Sequence, residues 1–350
     1  NLGRGKILLE DLNYIRRDEK IDTSHRLKFG DFLFNTRNTL DLVGKVSVWR
    51  NELKEAYFDS NIMRIKFDSK HVYDSFFMNH LFNNHDGLKQ LKRIATGTTS
   101  VAAIYTKDLM NVKLSLPPLD EQKKINSILS TWDKAIELKE KLIEQKKEQK
   151  KGLMQKLLTG EVRLPGFDGE WDDIKLGQLS RISTGNKDNK DKIENGYYPF
   201  FVRSENVERI NTYSFDGEAI LIPGDGRIGQ IYHYTNGKFD FHQRVYKISN
   251  FSNFCYGKYI YYYLKQFFHR EAMKYTAKAT VDSLRRPMLT NMVIRLPKLN
   301  EQKAISELLW KADMEIELLN KELKELTNQK KGLMQLLLTG KVRVRYNPES

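Results

Sequence analysis

The sequence predicts a mixed α/β protein with an internal repeat: two globular α/β segments joined by two long helices that pair as an antiparallel coiled coil. Two observations predict this arrangement. A 48-residue stretch with the pattern of one long helix occurs twice, and each copy follows a globular segment rich in apolar and aromatic residues. With 350 residues, 40% hydrophobic and 11% aromatic, the chain has enough apolar material for two cores.

The repeat is the most specific feature of the sequence. Residues 116–163 align without a gap with residues 296–343, and 26 of the 48 aligned residues are identical. The identical blocks include Leu-Pro-x-Leu-x-Glu-Gln-Lys, Gln-Lys-Lys-Gly-Leu-Met-Gln and Leu-Leu-Thr-Gly. Chance does not give such agreement over this length. The sequence does not fix the relative direction of the two copies, but we expect an antiparallel pair, which would relate the two halves of the chain by an approximate twofold axis.

Each copy is predicted to be one long helix. Asp120 and Asn300 are the expected N-caps, and Gly160 and Gly340 stand where a glycine ends a helix. About 39 residues lie between these signals, which corresponds to ~58 Å of helix.

Apolar residues recur at alternating spacings of four and three along both copies, which is typical of a coiled coil. The simplest partner for each helix is the other one. The predicted helix–helix seam consists of Ile125, Leu129, Trp132, Ile136, Ile143, Leu153 and Leu157 in the first copy and Ile305, Leu309, Ile316, Leu319, Leu323, Leu326, Leu333 and Leu337 in the second.

The globular segments are predicted at residues 1–115 and 166–295, with the spacer helices at 116–165 and 296–345. Both segments contain a turn and a buried strand, at Gly30–Phe34 and Gly217–Leu221, followed by a loop, a second strand, an aromatic helix and a hydroxyl-rich loop. Residues 167–171, Phe-Asp-Gly-Glu-Trp, open the second segment and have no counterpart in the first. From the repeat we therefore expect about 50 further residues of the first segment to precede Asn1.

Composition favours a polyanionic partner. The net charge is +14 and the pI is about 9.4, which places nucleic acid first among candidate ligands. The single cysteine, Cys255, forms no intrachain disulfide, is expected to fill a core, and fits the reducing cytoplasm. No apolar run approaches the ~18 residues of a transmembrane helix, so no membrane contact is expected.

The repeated motifs resemble the conserved regions of type I restriction-modification specificity subunits, and the resemblance covers essentially the whole chain. It implies that each globular segment is a target recognition domain reading half of a split double-stranded DNA site. It implies that the helices set the gap between half-sites and dock two methyltransferase (modification) subunits, which restriction (translocase) subunits can join. Those partners would carry the S-adenosylmethionine, ATP and Mg²⁺ chemistry, with no cofactor in this chain.

Polar and basic loop residues are the candidates for DNA contact, because Lys and Arg bind phosphates while Arg, Gln and Asn read base edges. In the first segment the candidates are Arg37, Lys45, Arg93, Thr98 and Thr99. In the second segment they are Arg203, Arg227, Gln230, Lys278, Arg285 and Arg286. For each, the alternative is a solvated charge or a surface ion pair.

Lysines interrupt the seam spacing at Lys139, Lys146 and Lys150, which predicts that part of the first helix faces solvent, DNA or another protein. The cluster Lys146, Lys147, Lys150 and Lys151 fits two interpretations equally. It contacts phosphates of the unread spacer, or it belongs to a solvated face of Glu–Lys pairs.

No motif of this sequence supports catalysis. Gly224-x-Gly226-x-x-Gly229 precedes a strand-like run instead of the helix that a dinucleotide site requires. Glu-x-Lys at 121–123 and 301–303 opens helices, whereas a nuclease needs it on a strand. No Walker loop, amino-methyltransferase motif or histidine spacing for a metal occurs. The competing hypotheses are a coiled-coil scaffold that reads no DNA sequence, which leaves the charge unexplained, and a nucleic-acid enzyme acting alone.

Overall fold

The structure, a computed structural model of the chain, describes residues 1–10, 12–16, 18–276 and 283–345. They form two compact units. Unit 1 consists of Asn1–Lys141 with Asn320–Ser350, and unit 2 of Leu142–Leu319. Each unit therefore combines one globular segment with half of each long helix. None of the helices within the described ranges has both the length and the apolar character of a membrane span.

Unit 1 contains two small antiparallel sheets, in the orders β3-β1-β4 and β2-β6-β5. Its strands are β1 (Phe32–Asn35), β2 (Arg37–Asn38), β3 (Val46–Val48), β4 (Ile62–Ile65), β5 (Thr96–Gly97) and β6 (Ala102–Ala103), and its short helices are α1 (Ser75–Asn83), α2 (His85–Ile94) and α3 (Thr106–Leu109). The Asp74 and Asn84 side chains cap α1 and α2 by accepting hydrogen bonds from backbone amides. The strand predicted at Gly30–Phe34 is confirmed as β1.

Unit 2 contains a six-stranded sheet in the order β10-β9-β12-β11-β13-β8 and a separate pair, β14-β7. Its elements are β7 (Asp172–Lys175), α5 (Leu176–Leu179), β8 (Arg181–Thr184), β9 (Tyr198–Phe201), β10 (Val207–Ile210), β11 (Phe215–Pro223), β12 (His233–Phe241), β13 (Val245–Ser249), α6 (Gly257–Thr276), α7 (Arg286–Thr290) and β14 (Val293–Leu296). The predicted strand at Gly217–Leu221 is confirmed within β11. The fold class, mixed α/β, is confirmed in both units.

The core of unit 2 lies between the six-stranded sheet and α6. Ile220 and Ile248 of the sheet and Tyr259 and Tyr262 of α6 are all fully buried in one cluster. Cys255 lies in the same cluster, and burial raises the pKa of its thiol to about 12. The prediction of a core cysteine is therefore confirmed.

The long helices are α4 (Leu119–Thr159) and α8 (Leu299–Leu338), of 41 and 40 residues. Each begins one residue before its predicted cap, because the carbonyls of Pro118 and Lys298 already accept the first helical hydrogen bonds. Asp120 and Asn300 therefore lie in the first turns, and their prediction as N-caps was wrong. Gly160 and Gly340, with φ of 73° and 71°, follow the helix ends in the left-handed conformation, as predicted.

The two helices pack antiparallel within each unit. In unit 1, Asp133 forms an ion pair with Lys330, and Lys139 Nζ lies 2.8 Å from Glu322 Oε2. Residues later in α4 therefore pair with residues earlier in α8, so the two helices run in opposite directions. In unit 2, Lys150 pairs with Asp313, which is the Asp133–Lys330 contact moved by 180 positions through the repeat. The antiparallel pairing of the prediction is confirmed.

The lysines that interrupt the seam of α4 face α8, which corrects the prediction that they leave this helix open to solvent, DNA or another protein. Lys139 pairs with Glu322, Lys146 with Glu315 at 2.6 Å, and Lys150 with Asp313. Their side chains are 24%, 31% and 11% exposed. Carboxylates on α8 therefore neutralise three lysines of α4 that were candidates for contact with DNA.

The repeated Glu-Gln pair that opens each long helix joins that helix to other parts of its unit. Arg163 binds Glu301 through two hydrogen bonds of 2.6 and 2.7 Å, and Arg343 binds Glu121 in the same way. Both glutamate side chains are 2% exposed. The Arg343 guanidinium lowers the pKa of the Glu121 carboxyl. The residues following each long helix are thus tied to the start of the other helix.

The glutamine of each pair binds the globular segment. Gln302 donates to the carbonyls of Phe254 and Pro297, at 2.9 and 2.7 Å, and accepts from the amide of Tyr256 at 2.8 Å. Gln122 makes the same three bonds in unit 1, with the equivalent partners His71, Pro117 and Tyr73. The globular segment is therefore attached to the helix pair by the same set of hydrogen bonds in both units.

Candidate nucleic-acid interface

In unit 1 the small sheet β2-β6-β5 brings several predicted DNA-contacting residues to one edge. Arg37 lies on β2 opposite Ala103, and Thr98 and Thr99 lie in the hairpin between β5 and β6. The amide of Leu40 donates to the Thr99 carbonyl at 3.2 Å, which holds the two loops side by side. Arg37, Thr98 and Thr99 are exposed. The edge therefore presents a guanidinium and two hydroxyls.

Two other candidates of unit 1 lie on neighbouring elements. Arg93 is exposed in the last turn of α2, three residues before β5 begins at Thr96. Lys45 is half-buried, and its carbonyl accepts from the amide of Asn35, two residues before Arg37. Arg93 and Lys45 therefore place two further basic side chains on elements next to the sheet edge that carries Arg37.

In unit 2 the loop between β11 and β12 is organised by Asp225. Arg203 and Arg244 both bind Asp225 Oδ2, at 3.0 and 3.1 Å, and the carboxylate is only 16% exposed. Two guanidiniums around one carboxylate leave a net positive charge on this surface. Arg203 was a predicted site residue. Arg244 was not predicted, because only the fold brings the turn between β12 and β13 beside this loop.

The remaining candidates of unit 2 surround the same loop. Arg227 lies 2.9 Å from Glu205 in an exposed ion pair, the alternative weighed for each loop arginine. The amide of Leu284 donates to the Gly224 carbonyl at 2.6 Å, which brings the segment of Arg285 to the loop. Exposed candidates near this junction are Gln230, Arg285 and Arg286. Lys278 lies outside the described residues.

Two histidines near this loop, His233 and His242, add little positive charge at neutral pH because their pKa values are lowered. Burial lowers the pKa of His233, whose Nε2 lies 3.0 Å from the Ser204 carbonyl. Burial and the nearby Arg203 guanidinium lower the pKa of His242. The charge of this surface is therefore carried by arginines, which stay protonated at any physiological pH.

The predicted seam residues fall into three groups by exposure. Buried are Ile125, Leu129, Ile143, Leu157, Ile305, Leu309, Leu319 and Leu337. Half-buried are Trp132, Ile136, Ile316, Leu323, Leu326 and Leu333. Leu153 is 37% exposed, and the next residue, Met154, is buried in the core of unit 2 instead. A straight helix drifts relative to a 3.5-residue repeat, which moves the buried face toward the globular core near this end.

The Gly224–Gly229 loop does not form a dinucleotide site. β12 follows it at His233, so no helix N-terminus meets the glycines. Glu121 and Glu301 open helices and bind arginines, in agreement with the non-catalytic interpretation of the two Glu-x-Lys motifs.

Residues 13–147 and 168–328 match the family model described as type I restriction modification DNA specificity domain. The chain belongs to this family. Two related chains of Methanocaldococcus jannaschii are the MjaVIII type I restriction enzyme specificity subunit, 29% identical over 83% of this chain and 76% of that protein, and a chain described as the MjaX specificity subunit, 28% identical over 97% and 85%.

Solved structures of the type I restriction-modification family have the same fold. The S subunit from M. genitalium covers 99% of this chain and 94% of its own length, with a TM-score of 0.64 at 16% identity. A chain from a study of complex assembly and conformational transition in the type I system covers 91% and 83%, with a TM-score of 0.56 at 20% identity. Specificity subunits are non-catalytic, so no catalytic role is assigned to any residue of this chain.

Proposed function

We propose that this chain reads one bipartite DNA site, with one half-site contacted by each globular segment, at 1–115 and 166–295, acting as a target recognition domain. The helical segments 116–165 and 296–345 set the unread gap and dock two methyltransferase subunits, which restriction subunits join. The partners carry S-adenosylmethionine, ATP and Mg²⁺ chemistry, and the complex works on DNA in the cytoplasm.

The observation that supports this proposal is that each globular segment is attached to the helix pair by the same hydrogen bonds. Gln122 and Gln302 each bind two backbone groups of their own globular segment and the carbonyl of the proline just before their own helix, and the bonds are the same in both units. Two modules attached in one way to one helix pair are suited to reading a duplex twice. Pairing of the α4 lysines with α8 leaves the exposed loop arginines as the main candidates for DNA contact.

The test is DNA binding by the full chain with its modification partners. Mapping methylated bases in the source genome supplies the bipartite target. We expect the logarithm of affinity to fall linearly with the logarithm of salt concentration, as phosphate contacts release counterions. We expect the target to bind at least ~10³-fold more tightly than a duplex with one half-site scrambled. A scaffold that reads no sequence would show neither effect.

Arg227→Ala is expected to weaken target binding without unfolding unit 2, because its ion-pair partner among the described residues is the exposed Glu205. Loss of a guanine contact costs about 1–3 kcal/mol and relaxes one base position, whereas loss of a phosphate contact lowers the salt slope by about 1 for every sequence. Arg227→Lys separates the two cases, since lysine keeps the phosphate charge and loses the bidentate geometry. Unchanged affinity for Arg227→Ala at moderate salt removes this residue from the interface.

A further inference from the structure

In unit 2 the loop after β11 is joined through its backbone to the turn between β12 and β13. The amide of Gly224 donates to the carbonyl of Arg244 at 2.7 Å, and the Gly224 carbonyl accepts from the amide of Leu284 at 2.6 Å. A Cβ added to Gly224 would lie 2.8 Å from the Arg244 carbonyl oxygen, so a side chain here would push the two segments apart. The next residue, Asp225, is therefore held directly beside Arg244.

The turn that carries Arg244 is also fixed from its other side. The amide of Arg244 donates to Nδ1 of His242 at 2.9 Å, and the His242 side chain is only 3% exposed. The amide of His242 in turn donates to the carbonyl of Phe201 at 2.9 Å, two residues before Arg203. Arg203 and Arg244 thus project from neighbouring backbone segments that hydrogen bonds hold together.

The guanidiniums of these two arginines meet on one oxygen atom. Nη1 of Arg203 and Nη1 of Arg244 lie 3.0 and 3.1 Å from Oδ2 of Asp225. Within the described ranges this oxygen is the only hydrogen-bond acceptor of either side chain. The Arg203 and Arg244 side chains are 40% and 65% exposed. Their Nε and Nη2 donors are therefore available to a ligand.

The carboxylate between the two arginines favours a base edge over a phosphate as that ligand. A phosphate is bound through positive charge, and the Asp225 carboxylate cancels one of the two charges and repels a phosphate. What the carboxylate adds is geometry, because it fixes a long side chain before the ligand arrives and so lowers the entropy cost of binding. The commonest specific contact of arginine in the major groove is bidentate, to O6 and N7 of guanine, and it depends on that geometry.

We propose that Arg244 binds O6 and N7 of a guanine in the half-site read by unit 2, and that Asp225 is the residue that positions it. This rests on the proposed function, since it names the base that this surface reads. Arg244 is the more exposed of the two arginines. Arg203 binds the same carboxylate oxygen and leaves the three residues with a net positive charge, which suits an approach to DNA.

Asp225→Asn tests the positioning role in the full chain with its modification partners. Asparagine has nearly the same shape but no charge, so it holds the Arg244 guanidinium less firmly and makes the surface more positive. The quantity measured is the ratio of affinities for the target and for a duplex with both half-sites scrambled. We expect this ratio to fall at least ~5-fold. An unchanged ratio, with tighter binding of both duplexes, identifies a phosphate site and overturns the proposal.

Asp216→Asn is the matched control, because it removes the same charge from unit 2 at a different place. Asp216 is exposed near the start of β11, whereas Asp225 follows the end of that strand. This control is expected to leave the affinity ratio unchanged. Thermal unfolding of both variants shows whether either substitution disturbs the fold.

Arg244→Lys tests the contact itself at an exposed position where the fold tolerates change. Lysine keeps the positive charge and loses the planar fork, so we expect the affinity ratio to fall at least ~5-fold while the salt slope stays the same. Arg181→Lys is the control: Arg181 is exposed on β8 opposite Ser249, at the far end of β13 from Arg244. Equal ratios for Arg244→Lys and the unmodified chain overturn the proposal.

Modified bases identify the contacted atom without a change in the protein. 7-Deazaguanine lacks the N7 acceptor of the major groove, whereas hypoxanthine lacks only the amino group in the minor groove. With each guanine of the target replaced in turn, we expect one position at which 7-deazaguanine weakens binding at least ~3-fold and hypoxanthine does not. In the Arg244→Lys variant this difference is expected to disappear, since the two changes remove the same contact.

The outcomes separate this proposal from the proposed function. A chain that binds target and scrambled duplexes equally contradicts the proposed function. A chain that prefers its target, but shows no guanine whose N7 effect depends on Arg244, overturns only the proposal made here. A target without guanine overturns it as well.

Discussion

Replacement of Arg163 by methionine is expected to lower the free energy of unfolding of unit 2, because it leaves the carboxylate of Glu301 buried without its cation. Arg163 makes two hydrogen bonds to Glu301, whose side chain is 2% exposed. Arg163 itself is 26% exposed, so water screens the pair only in part. Urea denaturation, followed by the fluorescence of Trp171 and Trp310 in unit 2, measures the change in the free energy of unfolding.

A double variant separates the unpaired charge from lost packing. Arg163→Met combined with Glu301→Leu removes both charges, and pairs of this kind are often replaced by apolar residues at little cost. We expect it to recover most of the lost stability. Arg285→Met removes an exposed arginine and is expected to change the stability by less than about 0.5 kcal/mol. Equal destabilisation by the single and double variants would show that the carboxylate is solvated after all.

Acid is expected to destabilise unit 1 through His80. Its side chain is 3% exposed, and burial lowers its pKa from 6.5 to about 4, although Asp133 lies 3.6 Å away and acts in the opposite direction. Between these two pH values the unfolded chain binds a proton that the folded chain does not. Stability therefore falls as the pH drops from about 6.5 to 4, by roughly 2–3 kcal/mol at pH 4.5 for this residue.

His80→Gln tests this prediction, because glutamine keeps a polar group at the position and does not titrate. Urea denaturation at pH 7 and pH 4.5 gives the loss of stability for each protein. We expect the loss to be smaller in the variant by roughly 2–3 kcal/mol. The same pH dependence in both proteins would mean that His80 is protonated at little cost in the folded state.

The helical part of the fold could be predicted because its signals are local and periodic. The repeat, the apolar spacing and the glycines at 160 and 340 predicted the starts of the two long helices to within two residues. The pairing of Lys150 with Asp313 could not be predicted in the same way. Which residues face each other depends on the register of two helices that are 180 positions apart in sequence, and the apolar pattern alone allows several registers.

The candidate DNA-binding residues were harder to predict, because loops from distant parts of the chain form each surface. Arg203 and Arg244 share Asp225, yet they lie 41 positions apart, and only the sheet order brings them together. The sequence suggested Arg203 by its position in a polar loop and missed Arg244. The sequence likewise showed the Glu-Gln motif as a repeated block, but it did not predict what the two side chains bind. Their partners, among them Arg163 and Tyr256, come from other elements of the fold.

Unit 1 joins residues on both sides of unit 2 in the sequence, and this determines the order in which a ribosome can complete the two units. Leu337 and Leu338 belong to the same core as Phe32 and Phe77, and Arg343 binds Glu121. Unit 2 consists of Leu142–Leu319, which are synthesised before residues 320–345. The part of unit 1 that precedes α4 must therefore wait, with part of its apolar surface uncovered, until Leu337 and Leu338 leave the exit tunnel, whereas all residues of unit 2 leave it earlier.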